Sequence, residues 1–237
     1  MNKILKLLLI GVSFSFQSIA QNAEQAESTP TDDKSPIYWL YDAHYRMAIQ
    51  YNDYAEAKSA LYNLVLLEPQ NDSLRYNLAY IYFDNNQNPS TILACNDILA
   101  MNPNHLGALE LSAAAFENLG LKDKALPNYE KLYMLSSNLN ALYKMAFLQY
   151  DLKKYAECGV NIDILLAHTE LADANVVFSE ENNEQKEYPM KVAVLNLRGL
   201  VNVEIGNKEL ARKAFEEALA ISPDFQLAKS NLAKLKE

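Results

Sequence analysis

The stretch NDYAEAKSALYNLVLLEP, Asn52–Pro69, decides the fold of this chain. Leu61, Leu64, Val65 and Leu67 recur at helical spacing after the turn pair Asn52-Asp53, so the run predicts a helix over Tyr54–Leu67 and not a strand. Further on, Leu78-Ala79, Tyr82 and Pro103 follow, and then Ala113, Phe116, Gly120, Ala125 and Tyr129. Pro69 and Pro103 lie 34 residues apart, and one more step of that size lands on Ser137. A fixed period of this length marks stacked helix-turn-helix units, each a supersecondary element that buries its apolar face only against its neighbours.

Laid out on this ruler, the first unit runs from Tyr38 to about Asn71, with helix A over Trp39–Tyr51 and helix B over Tyr54–Leu67. The second starts near Asp72, a candidate N-cap, and its helix B opens at Asn88-Pro89, where proline is tolerated because its missing N–H would have no partner anyway. In the third, Gly120 ends helix A, Asp123 is a candidate cap for helix B, and Pro127 falls inside that helix, where a kink is expected. The fourth, Leu142–Ala146 with Tyr155–Cys158, slips by one residue and ends around His168. A fifth unit, Leu195, Gly199, Gly206, Ala211, Phe215, Ala218 and Pro223, begins about nineteen residues late, and Phe225–Lys236 reads as a final helix with a polar outer face. Between them, Val176-Val-Phe178 and Tyr188-Pro-Met190 flank the polar run 179–187. That pattern reads either as two short extended segments joined at Asn182-Asn183 or as a disordered loop, with Pro189 restricting any strand to an edge.

At these residues the chain resembles the tetratricopeptide repeat family over about residues 38–237. The resemblance implies an all-α, right-handed solenoid of about five repeats with a capping helix and a short insertion, a β-hairpin in one reading. The segments are then 1–20 signal peptide, 21–36 disordered leader, 37–170 repeats 1–4, 171–191 insertion, and 192–237 repeat 5 and cap. The family pattern puts small residues where helices A and B cross, matched by Ala79, Ala113, Ala146 and Gly199 in helix A and by Ala57, Ala125 and Ala211 in helix B. Leu61, Tyr129 and Phe215 fill the large site, whereas Tyr45, Thr91, Arg198 and Asn202 depart from the pattern. It also implies a concave surface lined by helices A. Here that face takes Trp39, Asp42, Arg46 and Ile49, then Tyr76, Tyr80, Phe83 and Asp84, then Glu110, Ala114 and Glu117, and then Tyr143, Phe147, Tyr150 and Asp151. An aromatic groove with acidic margins suits a protein or peptide segment carrying apolar anchors and Lys or Arg. Core packing is the competing reading of the same aromatic stripes. Family clamps for terminal carboxylates use Lys, Asn and Arg on this face, where the chain has Asp42, Tyr76 and Tyr80.

Composition bounds the function class. Lys3 and Lys6 flank an apolar run through Phe16, and Ser18-Ile19-Ala20 supplies the small residues of an export cleavage site before Gln21. The expected location is therefore outside the cytoplasm, in the periplasm by the resemblance. Loss of the two lysines takes the formal charge from −9 to −11, which disfavours nucleic acid and anionic membrane as partners. Cys95 and Cys158 sit in helices B of different repeats and read as buried packing thiols, a redox pair being the alternative. His44, His105 and His168 lie in different repeats without metal-binding spacing, and no glycine-framed serine or phosphate-cradling loop is present. No cofactor or metal is expected. A non-catalytic interaction adaptor is the leading expectation, and a self-assembling structural component that uses the solenoid ends or the insertion is the alternative.

Overall fold

The computed structural model describes residues 34–179 and 185–235. The expectations for a signal peptide, most of the leader and the Asn182-Asn183 turn fall on residues outside this set. Contacts divide the chain into two compact units, which among the described residues are 34–141 and 142–235.

In the unit 34–141, three helix pairs follow one another: α1 (Pro36–Gln50) with α2 (Tyr54–Leu67), α3 (Asp72–Asp84) with α4 (Asn88–Met101), and α5 (Leu106–Asn118) with α6 (Lys122–Ser136). Each pair packs together, and α2 packs on α3 as α4 packs on α5. α7 (Leu139–Asp151) contains the division at 141/142. In the unit 142–235, α8 (Tyr155–Ala167) precedes a short 3-10 turn and a hairpin of β1 (Asn175–Ser179) and β2 (Gln185–Pro189). The helices α9 (Met190–Glu204), α10 (Lys208–Ile221) and α11 (Gln226–Lys234) complete it.

Every A-to-B turn has the same construction. The connections 51–53, 85–87, 119–121, 152–154 and 205–207 are each three residues long. Their middle residues Asn52, Asn86, Gly120, Lys153 and Gly206 all carry positive φ. A left-handed residue ends a helix by turning the next N–H groups back onto its last carbonyls, and Asn and Gly tolerate that conformation best. Asn207 N–H accordingly reaches Asn202 O at 2.8 Å, and Leu121 N–H reaches Phe116 O at 2.9 Å.

The small sites explain how closely the helices cross. Ala57, Ala79, Ala113, Ala125, Ala146 and Ala211 are buried. A Cβ added to Gly199 would stand 2.2 Å from the Phe215 ring, so only hydrogen fits there. Thr91 keeps its small site by donating its hydroxyl to Gln87 O at 3.2 Å, which satisfies the one polar atom it buries. Tyr45 stands in the first repeat half-buried against Ala48, Leu61 and Leu78. Both cysteines are free and buried, and Cys158 Sγ–H donates to Ala146 O at 3.1 Å across the α7–α8 crossing.

Several ends differ from the sequence reading. Helix α1 begins at Pro36, capped by the Ser35 side chain. Asn71 and not Asp72 caps α3, accepting from Leu74 N–H. Leu121 holds the cap position of α6 without a side-chain bond, so Asp123 acts instead as an acid in the first turn, favourable to the helix dipole. Pro127 lies within α6, which runs on to Ser136. The insertion is a true antiparallel ladder, Val176 opposite Tyr188 and Phe178 opposite Lys186, with Pro189 at the strand end opposite Asn175. Tyr188, Phe178 and Phe225 meet edge to face at centroid separations of 4.8 to 6.3 Å, which anchors the hairpin to the Val192, Leu195 and Ala218 core.

Candidate protein-binding faces

In the unit 34–141, helices α1, α3 and α5 place their outward residues at ruler-equivalent positions. Asp42, Arg46 and Ile49 match Tyr76, Tyr80 and Phe83, and these match Glu110, Ala114 and Glu117. Trp39, Arg46 and Asp84 are exposed, and Tyr80 is at the exposed limit. Arg46 pairs with Asp42 one turn away. Tyr38 meets the Trp39 ring edge-on at 5.6 Å.

The remaining aromatics of this face are partly structural. Tyr76 stacks 5.1 Å from His105, and a Cβ on Gly107 would come within 2.7 Å of its ring. Burial, and next the Glu110 charge, push the Tyr76 hydroxyl up to about 12. Phe83 packs against the Ala79, Cys95, Ile98 and Leu111 cluster. His105 also caps α5, its Nδ1 accepting from Ala108 N–H at 3.0 Å, a role that its sequence position did not reveal.

Acidic groups margin the face. Burial raises the Glu110 carboxyl above its ordinary value. Glu117 accepts from the Tyr129 hydroxyl at 2.6 Å, and burial followed by the Glu117 charge holds that phenol well above its usual range. With Asp42 and Asp84 this makes four carboxylates against one guanidinium, Arg46.

In the unit 142–235 the expected groove residues part company. Tyr143 and Phe147 are buried, 2% and 6% exposed, with centroids 4.6 Å apart. Their rings are core, which corrects their reading as groove surface: apolar rings at helical spacing gain more from mutual packing than from solvent. Tyr150 is half-buried beside Asp151, and burial, then Glu204, push its hydroxyl up to about 12. Tyr155, 5.9 Å from Tyr150, donates to Glu204 at 3.1 Å.

Sequence reasoning missed a cleft of 470 Å³ between α8, α9 and α10, lined by Asp163, Arg198, Val201, Ile205 and Leu210 among others. Its signal was Arg198, noted as out of pattern. Arg198 takes the place that Leu78 holds in the second repeat and pairs with Asp163 on α8. The other departure, Asn202, donates back to Arg198 O at 2.8 Å.

Residues 192–225 match the sequence profile described as Tetratricopeptide repeat. No curated protein matches the chain. Among solved structures, the chain is similar to a tetratricopeptide repeat protein from Parabacteroides merdae at 18% identity, covering 84% of this chain and 72% of that one, TM-score 0.63. It is also similar to YrrB, a TPR protein with an unusual peptide-binding site, at 13% identity over 91% of this chain and 95% of that one, TM-score 0.65. MamA 41-end from Desulfovibrio magneticus RS-1 is a third, 12% identical over 81% and 98%, TM-score 0.61. At such identities the likeness concerns the fold.

Proposed function

We propose that this tetratricopeptide-repeat chain is a non-catalytic scaffold of the bacterial cell envelope that holds a basic, apolar-anchored protein segment on helices A of residues 34–141. The observation that carries the reading is the pairing of exposed Trp39 and Tyr80 with the carboxylates of Asp42, Asp84, Glu110 and Glu117. Rigid rings supply contact area at low entropic cost, and the surrounding acids select cationic partners and repel anionic ones. The groove reading includes Tyr76 and Phe83 as the packed floor. The peptide-binding site of YrrB supports this class of partner by analogy of fold alone.

Export to the periplasm rests on the sequence of residues 1–20. No helix among the described residues is long and apolar enough to cross a membrane. Amino-terminal sequencing of the protein from its native envelope checks the location, with Gln21 as the expected first residue. Crosslinking followed by co-purification checks the groove. Wild type is expected to retain a specific partner that Trp39→Ala/Tyr80→Ala loses by at least tenfold; equal recovery by both overturns the groove reading.

A further inference from the structure

Counting from the left-handed residue of each A-to-B turn gives every repeat a common register. Six residues after it, helix B carries Lys58, Ile92, Leu126 and Arg212 in four repeats and Gly159 in the remaining one. Gly159 does not have positive φ, and a Cβ added there would meet nothing within 4 Å. Glycine inside a helix is destabilising relative to alanine, so neither backbone conformation nor close packing accounts for it. Gly159 lines the 470 Å³ cleft between α8, α9 and α10.

The same register shows what is missing there. In the first gap between helices B, Lys58 and Tyr62 of α2 meet Tyr82 of α3. The two tyrosine hydroxyls are hydrogen-bonded, and Lys58 Nζ lies 5.4 Å from the centre of the Tyr82 ring. At the cleft these three positions are Gly159, Asp163 and Asn202. A hydrogen, a short carboxylate and a carboxamide that bonds back to Arg198 O on its own helix thus stand in place of a lysine and two phenol rings. The second gap also has a ring, Phe116, at the position of Asn202. The opening therefore lies where aromatic side chains sit in other repeats, and its 470 Å³ is within the roughly 300 to 1,000 Å³ of ligand pockets.

The charges of the cleft suit the same occupant. Arg198 pairs with Asp163 and Lys213 with Glu217 at 3.9 Å, so the walls are balanced and select neither an anion nor a cation. A guanidinium at the wall attracts the face of a ring, and the Asp163 carboxylate, 70% exposed, is an acceptor for a phenol hydroxyl. Ile205 and Leu210, both more than half exposed, carry the apolar lining out to the rim, where they offer contact to chain on either side of the ring.

We infer that this cleft receives a tyrosine side chain presented by a partner protein on an otherwise uncharged segment. The contact supplies from outside the ring that closes the corresponding gap between α2 and α3. It uses a surface separate from Trp39 and Tyr80 and takes a neutral segment where that face takes a basic one, so each reading can fail alone.

Titration of the isotope-labelled full chain with the pentapeptide acetyl-Ser-Gly-Tyr-Gly-Ser-amide, followed by amide chemical shifts, tests this. Saturable shifts are expected at Gly159, Val201, Asn202 and Ala214, which line the cleft. The same peptide with leucine at its centre, and free p-cresol, should each bind at least threefold more weakly, the first for want of the ring and the second for want of the flanking chain. Gly159→Leu fills the cleft and should cut affinity at least tenfold while raising the melting temperature, which shows that the variant folds. Trp39→Ala/Tyr80→Ala should leave the affinity unchanged. Absence of saturable shifts overturns the inference, as does affinity that Gly159→Leu leaves unaltered or equal binding of the leucine peptide. Binding of p-cresol as tight as that of the tyrosine peptide overturns it too, since the cleft would then be a small-molecule site.

Discussion

Single side chains set how near two helices come. At Gly199 an added methyl carbon would overlap the fully buried Phe215 ring, and in a packed interior such overlap is relieved only by shifting the helices or the ring. Gly199→Ala is expected to cost about 1 to 3 kcal/mol and to lower the melting temperature by several degrees; an unchanged value would count against the crossing described. Glu110 shows a second residue-level effect. Its carboxyl is raised above the ordinary 4.5 by burial, so the folded state binds its proton more tightly than the unfolded state does. Stability is then lost as pH rises through the interval above 4.5, because the unfolded chain releases the proton first. Glu110→Gln should raise thermal stability at pH 7 and have little effect at pH 4. A greater gain at pH 4 would contradict the sign.

Among elements, the β1–β2 hairpin shows what sequence could and could not reveal. Its two apolar clusters, Val176-Val-Phe178 and Tyr188-Pro-Met190, are visible in the chain, but strand or loop could not be chosen from them. The choice is made by Phe225, some forty residues on, whose ring meets both Phe178 and Tyr188. Tyr188→Ala removes the centre of this aromatic group and is expected to cost about 3 to 5 kcal/mol within the unit 142–235, read by thermal denaturation and by faster amide exchange at Val176 and Val177. The A-to-B turns and the small sites were legible because period and residue type coincide there. Helix caps were less so: Asn71 and Asp72 are both acceptable caps, and neighbouring backbone geometry selects one. Tyr143 and Phe147 were misplaced on the groove because helical spacing gives the face a residue occupies and not what lies against it.

For the whole molecule, charge governs reach. The chain carries a formal −9, and the helix A face of residues 34–141 adds its own carboxylates. If a basic segment binds there, raising the salt from 50 to 500 mM should weaken binding severalfold, chiefly through slower association, since screening shortens the range of attraction while leaving ring contacts intact. Salt-independent affinity would point to purely apolar recognition. The constant three-residue turn within each helix pair bears on how the chain can change. Connections between pairs vary, from 137–138 to the hairpin-bearing 168–189, while those within pairs do not. The structural module is thus the pair, not the helix: extra chain length is accommodated at the seams between modules, and the turn inside each is held at three residues.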